Sequence, residues 1–209
     1  MRVLAVLASG HGTNFEALAQ AAQRGDLGGR IAVMITDRSD APVLERARRL
    51  GVEPLVLPGG RFRTRLEDER PWVDALRARG VHVVLLAGFM RRLHDVFLGA
   101  YRDRILNIHP SLLPAFPGLD AIGRAWEHGV QVTGCTVHLV DDALDGGAIV
   151  AQSAVLVRED DTLEHLEARI HDAEHRLYPA TVRRFLDTPW RIEGRRLRFA
   201  DPAVRGGRS

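Results

Sequence analysis

The 209 residues predict a doubly wound α/β fold with a mostly parallel sheet, an antiparallel C-terminal portion and a long C-terminal helix. Three observations carry that prediction. Runs of strand length are apolar throughout, as they must be when both faces of a sheet are covered. A stretch of helical spacing follows most of these runs, which is the alternation of a parallel sheet with crossover helices. After residue 118 the pattern changes to two strand-like runs around an acidic, glycine-bearing turn, and then to one long amphipathic segment.

In chain order, "VLAVLAS" (3–9) is the first strand, and "TNFEALAQAAQ" follows it with Phe15, Leu18 and Ala22 on one helical face. The pairing recurs in "RIAVMIT" with "APVLERARRLG", and in "VEPLVL" with an arginine-rich segment running into "WVDALRARG". It recurs again in "VHVVLLAG" with "MRRLHDVFLGA", and "RILNIH" closes the series as a strand. Residues 131–157 hold two runs around "DDALDGG", which predicts antiparallel pairing. From Asp161, Leu163, Leu166, Ile170, Ala173 and Leu177 share one face of a helix. Asp161 and Glu164 have capping-box spacing, and Pro179 predicts a kink or a restart. "WRIEGRRLRF" predicts a small hairpin turning at Glu193 and Gly194. No repeat or long linker interrupts the chain. It reads as one domain over 1–209, with a nucleotide-binding half at 1–106, a catalytic half at 107–187 and a hairpin and tail at 188–209.

Composition removes several chemistries. All 29 basic residues are arginine, so no Schiff-base lysine and no P-loop lysine is present. A single cysteine, Cys135, rules out an internal disulfide and a multi-thiolate metal site, and it reads as a small core residue. The formal net charge is only +2, and the arginine clusters at 61–65 and 195–198 are short. Solvated faces are the expectation there rather than a nucleic-acid groove. No apolar run reaches the ~18 residues of a membrane span, and the start of the chain lacks a signal-peptide pattern, so a cytoplasmic location is expected.

Three candidate sites stand out. "SGHGTN" (Ser9 to Asn14) joins the first strand to the first helix, where backbone amides and the helix dipole can hold an anion. Phe15 stands where the dinucleotide fingerprint needs a third glycine, so a single phosphate monoester fits better than a pyrophosphate. The plainer reading is a tight turn with a capping box from Thr13 and Glu16. The second is "NIHPSLLPAFPG" (107–118), which places Asn107 and His109 at the end of a strand, where ligands bind in such sheets, and follows them with three prolines. The plainer reading of His109 is a packed or surface imidazole. The third is the turn bearing Asp141, Asp142 and Asp145, which could be a solvated hairpin turn. Alternatively, a carboxylate there could orient and balance His109 while Asn107 donates to a developing oxyanion. Asn, His and Asp together suit acyl transfer to a nitrogen nucleophile without a covalent enzyme intermediate. His138 points either to this site or into packing. His165, His171 and His175 lie on the long helix without an evident further metal ligand and read as surface residues.

With these residues in view, the sequence resembles the phosphoribosylglycinamide formyltransferase family of purine synthesis. The resemblance runs in matching order over about the first 180 positions through "SGHGTN", "LAGFMRRL" (86–93), "NIHPSLLPAFPG", "GCTVHLVDDALDGG" (134–147) and "AEHRLYP" (173–179). It implies transfer of a formyl group from 10-formyltetrahydrofolate, as co-substrate, to the amine of glycinamide ribonucleotide, with no metal. The implied catalytic residues are Asn107, His109 and Asp145. The implied ribonucleotide contacts are Gly12, Thr13, Asn14 and Glu174. Met90, Arg91, Arg92 and Leu93, the loop from Val140 through Asp141 and Asp142 to Asp145, and Arg65 match folate-side positions, which Asn107 also borders. The family usually carries histidine where this chain has Asp120. Partners implied are small molecules only, with a monomer or homodimer and no nucleic acid or membrane. The alternative within the superfamily is another 10-formyltetrahydrofolate-dependent formyltransferase or hydrolase. Methionyl-tRNA formyltransferase would be expected to carry a further C-terminal domain, and the hydrolase an N-terminal one. A nucleotide-binding module without catalysis would leave Asn107, His109 and Asp145 idle.

Overall fold

The structure, a computed structural model, describes residues 1–200. The expected tail beyond the hairpin, 201–209, lies outside the described residues. Five strands open the chain: β1 (Arg2–Leu7), β2 (Gly29–Thr36), β3 (Glu53–Val56), β4 (Val83–Leu86) and β5 (Ile105–His109). They pair in parallel in the order β3-β2-β1-β4-β5. The order reverses between β1 and β4, which is where a doubly wound sheet opens a crevice at its carboxyl edge. β6 (Val132–Leu139) and β7 (Ile149–Leu156) then add antiparallel strands beside β5. The hairpin β8 (Trp190–Glu193) and β9 (Arg196–Phe199) forms as expected, and β9 also joins the main sheet in parallel alongside β7, a pairing that local pattern cannot show.

Alternation along the strands feeds two cores. Leu4, Val6 and Ala8 face one side, where they meet α1 (Thr13–Gln23), α2 (Val43–Arg49), Ile122 of α5 (Ala121–Glu127) and α6 (Leu163–Asp187). Ala5 and Leu7 face the other side, against α3 (Arg70–Ala78) and α4 (Asp95–Ala100). Helices α3 and α4 thus cover β1 and β4. On β5 and β6, Leu106, Ile108, Cys135 and Val137 belong to the α1/α6 core, so Asn107, His109, Thr136 and His138 project to the opposite face, where loops rather than helices lie over them.

Several elements differ from expectation. The segment from Met90 to His94 is not helical, and α4 begins only at Asp95, because Glu69 accepts hydrogen bonds from the backbone N–H groups of His94 and Phe97 and so sets the helix start there. Helix α5 lies where no helix was expected, its apolar spacing hidden by Gly123. Helix α6 runs unbroken from Leu163 to Asp187 with Pro179 inside it, so there is no restart. Burial of Tyr178 and Val182 on either side of the proline holds the path against the lost backbone bond. The cap of α6 is Thr162, whose hydroxyl accepts from His165 N at 3.3 Å. Asp161 instead pairs with Arg169 and accepts from Arg158 N. The cap of α1 is Gly12, so the Thr13 and Glu16 capping box does not form, and Glu16 binds Arg46 and Arg49 instead. Cys135 is fully buried, and burial pushes its thiol up to about 12. No helix among the described residues is long and apolar enough to cross a membrane, and no group of three or more His, Cys, Asp or Glu among them could hold a metal ion.

Candidate active site

The glycine loop sits at the carboxyl end of β1 and is clamped from three sides. Gly12 has φ +78°, and a Cβ there would stand 2.3 Å from Val43 Cγ2, so both backbone and space demand glycine. Val43 N donates to Gly10 O at 3.2 Å, and Arg46 Nε donates to His11 O at 2.8 Å. Ser9 Oγ donates to Asp37 Oδ1 at 2.6 Å and accepts from Met90 N at 3.1 Å, which ties the loop to the segment after β4.

Glu174 reaches this loop from α6. One of its oxygens accepts from Asn14 Nδ2 and from His171 Nδ1, each at 2.9 Å, and the residue is 3% exposed. The hydrogen bond to Glu174 raises the pKa of His171, against the opposing effect of burial. His171 is therefore not a mere surface residue, although its side chain is half exposed. Asn14 Oδ1 is buried and has no partner among the described residues, an acceptor left for a donor such as a sugar hydroxyl. A groove of about 760 Å³ between α1 and α6 touches the loop only at Thr13 and lies on the other side of the sheet from Asn107 and His109.

Register decides the rest of the site. In the antiparallel β5–β6 pair, Asn107 stands directly opposite His138, and His109 opposite Thr136. Opposed side chains share a face at close range, so four polar groups meet there. Asn107 Nδ2 lies 3.1 Å from His138 Nε2, while His138 Nδ1 donates to Leu139 O at 2.9 Å. His109, 6% exposed, donates from Nε2 to Phe116 O at 2.9 Å. Its Nδ1 faces Asp145 Oδ2 at 3.6 Å, and Asp145 Oδ1 lies 3.6 Å from His138 Nε2. Asp145 Oδ2 also accepts from Gly118 N at 2.7 Å, joining the acidic turn to the end of the proline loop. The turn comes this close because Gly147 follows: a Cβ there would meet Leu139 O at 1.9 Å.

The proline loop is held from beneath. Thr136 Oγ1 donates to Ser111 O at 2.7 Å and accepts from Leu113 N at 3.0 Å and Gln152 Nε2 at 2.9 Å. Gln152 also donates to Leu113 O at 2.9 Å, and Ser111 Oγ to Ala115 O at 2.6 Å. Phe116, Asp120 and Asp145 all sit at φ near +50°, a cluster of left-handed non-glycine residues around one cleft. Such conformations persist where surrounding structure imposes them, and they gather at functional sites.

The folate-side positions divide. Met90 and Leu144 are 57% and 53% exposed beside the cleft, and Arg92 donates to Asp142 O at 3.1 Å, linking the two loops that carry them. Val140 N donates to Ile105 O at 3.0 Å, and Asp141 accepts from Ala143 N at 3.1 Å, which shapes the turn. Leu93 is buried in the α3/α4 core. The Arg91 side chain turns inward to Asp37 (Nε to Oδ2, 2.6 Å) and to the carbonyls of Phe62 and Arg65. Arg65 stacks over Phe62 at 4.1 Å. Leu93 is thus closed off by the core, and the Arg91 guanidinium is engaged within the protein, with 14% of its side chain exposed. Asp120 lies at the start of α5, its carboxylate against Gly123.

Sequence reading missed Thr136, Gln152 and Asp37 and left His138 open. Thr136 and His138 are polar at alternate positions in the mostly apolar second half of their strand, a pattern that marks a polar face. Asp37 directly follows the second strand at the edge where ligands bind. For Gln152 the residues around it carry no comparable signal.

A family model described as formyl transferase matches residues 1–182. The phosphoribosylglycinamide formyltransferase of Bacillus subtilis is 41% identical over 186 residues, covering 89% of this chain and 95% of the relative. That of Escherichia coli is 38% identical over 184 residues, covering 88% and 87%. The crystal structure of glycinamide ribonucleotide transformylase 1 from Symbiobacterium toebii superposes with a TM-score of 0.91 at 49% identity, covering 96% of this chain and 95% of that one.

Proposed function

The chain belongs to the formyl transferase family, and from that premise we propose that Asn107, His109 and Asp145 carry formyl transfer from 10-formyltetrahydrofolate to the amino group of N1-(5-phospho-D-ribosyl)glycinamide, a step of purine biosynthesis. The observation that supports these roles most directly is the meeting of the three side chains over the ends of β5 and β6, beyond the part of that sheet face which α3 and α4 cover.

The glycine loop receives the phosphate: the amides at the start of α1 and the dipole of an 11-residue helix favour an anion, with Thr13 beside them. Glu174 and the buried Asn14 Oδ1 suit sugar hydroxyls. The exposed apolar side chains of Met90 and Leu144, beside the polar backbone of 140–145, fit a flat heteroaromatic ring such as the folate's. No step of the reaction in this reading passes through a metal. Within the chain, residues 1–106 then hold mainly the nucleotide and 107–187 mainly the folate and the chemistry.

At the reacting carbon, the Asn107 amide and a protonated His109 Nδ1 donate to the oxyanion that develops as the amine attacks. Nδ1 is the working nitrogen of His109, because Nε2–H is already engaged by Phe116 O. Asp145 balances the imidazolium and, across the 3.6 Å gap, accepts the proton of the attacking amine and returns it through water to the departing nitrogen. An ordered oxyanion donor is worth about 3 kcal/mol.

Purified protein given both substrates is expected to release tetrahydrofolate only when the ribonucleotide is present. Release independent of the ribonucleotide, or none at all, would overturn this reading. The cytoplasm is the compartment where such a biosynthetic step belongs.

A further inference from the structure

We infer that His138 is a positioning residue that acts as a neutral hydrogen-bond acceptor and sets which end of the Asn107 amide faces the reacting formyl group. The inference rests on the function proposed above and extends it to a residue outside the catalytic triple.

The argument is one of hydrogen-bond polarity. The chain of contacts runs from Leu139 O to His138 Nδ1 at 2.9 Å, and from His138 Nε2 to Asn107 Nδ2 at 3.1 Å. A backbone carbonyl can only accept, so His138 Nδ1 must carry the proton. In a neutral imidazole Nε2 is then a lone pair, and it can be satisfied only by a donor. Asn107 must therefore turn its NH2 group towards His138. A primary amide has two N–H bonds, so one remains for the oxyanion. The direction of the whole chain follows from the fixed carbonyl of Leu139, through two side chains, to the reacting atom.

Were His138 cationic, the polarity would reverse. Nε2 would become a donor, Asn107 would turn its oxygen towards it, and the amide N–H groups would be displaced. The surroundings oppose that state. His138 is 2% exposed, and burial lowers its pKa; its bond to Leu139 O and the charges of Asp145 and Asp141 pull the other way, while His109 adds to the lowering. Asp145 Oδ1, at 3.6 Å, is beyond hydrogen-bond reach of Nε2, so the donor that this lone pair meets is Asn107 Nδ2.

The first test is spectroscopic and independent of turnover. Nitrogen NMR of the histidine rings in the intact protein is expected to show His138 protonated at Nδ1 alone at neutral pH, remaining so below the pH at which an ordinary imidazole becomes charged. An Nε2-protonated or cationic ring at neutral pH overturns the inference whether or not the protein turns over.

The second test is kinetic. His138→Phe removes the acceptor, and kcat is expected to fall about tenfold or more, less than the roughly 100-fold loss of a whole oxyanion donor, with both KM values within about twofold. His138→Gln, which can accept through its side-chain oxygen, is expected to recover most of that loss. In an Asn107→Ala background, His138→Phe should cost little further, because the group it positions is gone. Equal kcat in His138→Phe and wild type, full additivity in the double variant, or disappearance of an ionisation from the kcat–pH profile in His138→Gln would each overturn it. Wild-type protein inactive with these substrates, but with His138 protonated at Nδ1 alone, would reject the proposed function and leave the hydrogen-bond assignment standing.

Discussion

His109 and Asp145 face each other at 3.6 Å, Nδ1 to Oδ2, close enough for their charges to act on each other and too far for a direct hydrogen bond. Asp145 instead accepts from Gly118 N at 2.7 Å. The carboxylate is thus anchored to the proline loop, and in the proposed reaction the space between it and the imidazole is the path of the substrate proton.

Asp145→Asn keeps an acceptor for Gly118 N but removes the charge and, with it, the proposed proton acceptor. Its expected effect is a loss of kcat of roughly 100-fold to 10,000-fold, with unchanged circular dichroism. His109→Ala should fall in the same range. Tetrahydrofolate release under saturating substrates measures both, and near wild-type turnover in a folded variant would remove the residue from the mechanism.

Thr136→Val keeps the shape of the side chain but leaves Leu113 N–H and Ser111 O without their partner and takes one acceptor from Gln152. Unmet buried polar groups of this kind cost about 1–3 kcal/mol. Urea unfolding should show that loss, and kcat should fall as the loop carrying Phe116 O loosens around His109. A stable variant with unchanged kcat would mean that the loop keeps its shape without Thr136.

Asp37→Asn leaves the Arg91 guanidinium without its carboxylate in a site where the two side chains are 14% and 6% exposed. Removing one partner of such a pair is expected to cost about 3 kcal/mol. Because Ser9 bonds the same carboxylate, the glycine loop and the 88–93 segment should loosen together. Higher KM values for both substrates are the expected kinetic sign, and a rise in only one would show that the two loops are held separately.

Glu174 raises the pKa of His171, so the charged imidazole is favoured in the folded state. The stability from that pair is fully present below the ordinary histidine range and is lost as pH rises through the raised folded value. Melting temperature followed against pH should therefore decline over that window in the wild type, and the decline should shrink in His171→Gln. Identical profiles for the two proteins would show that the pair contributes nothing to folding.

The alternation of apolar strands and helices, the antiparallel pair after residue 118 and the long last helix were all legible in the sequence, because burial on one face or two leaves its period in the chain. What misled were local signals overruled by distant partners. Met90 to His94 had helical spacing, but Glu69 sets the start of α4 at Asp95. Pro179 predicted a break, but packing on both sides carries α6 through it. Asp161 had the spacing of a cap, but Arg169 takes it.

The sequence by itself determined which chemistry was possible. Without lysine and with one buried cysteine, the chain offers Asn107, His109 and acidic turn residues as its reactive set, and local proline and glycine mark the loops that carry them. Only the tertiary structure brings Asp145 to 3.6 Å from both His109 and His138, stands His138 against Asn107, and sets Thr136 and Gln152 to hold the loop from below. The physical reason is strand register. Shifting β6 by one residue against β5 would send Thr136 and His138 to the opposite face, and nothing local to either strand specifies that alignment.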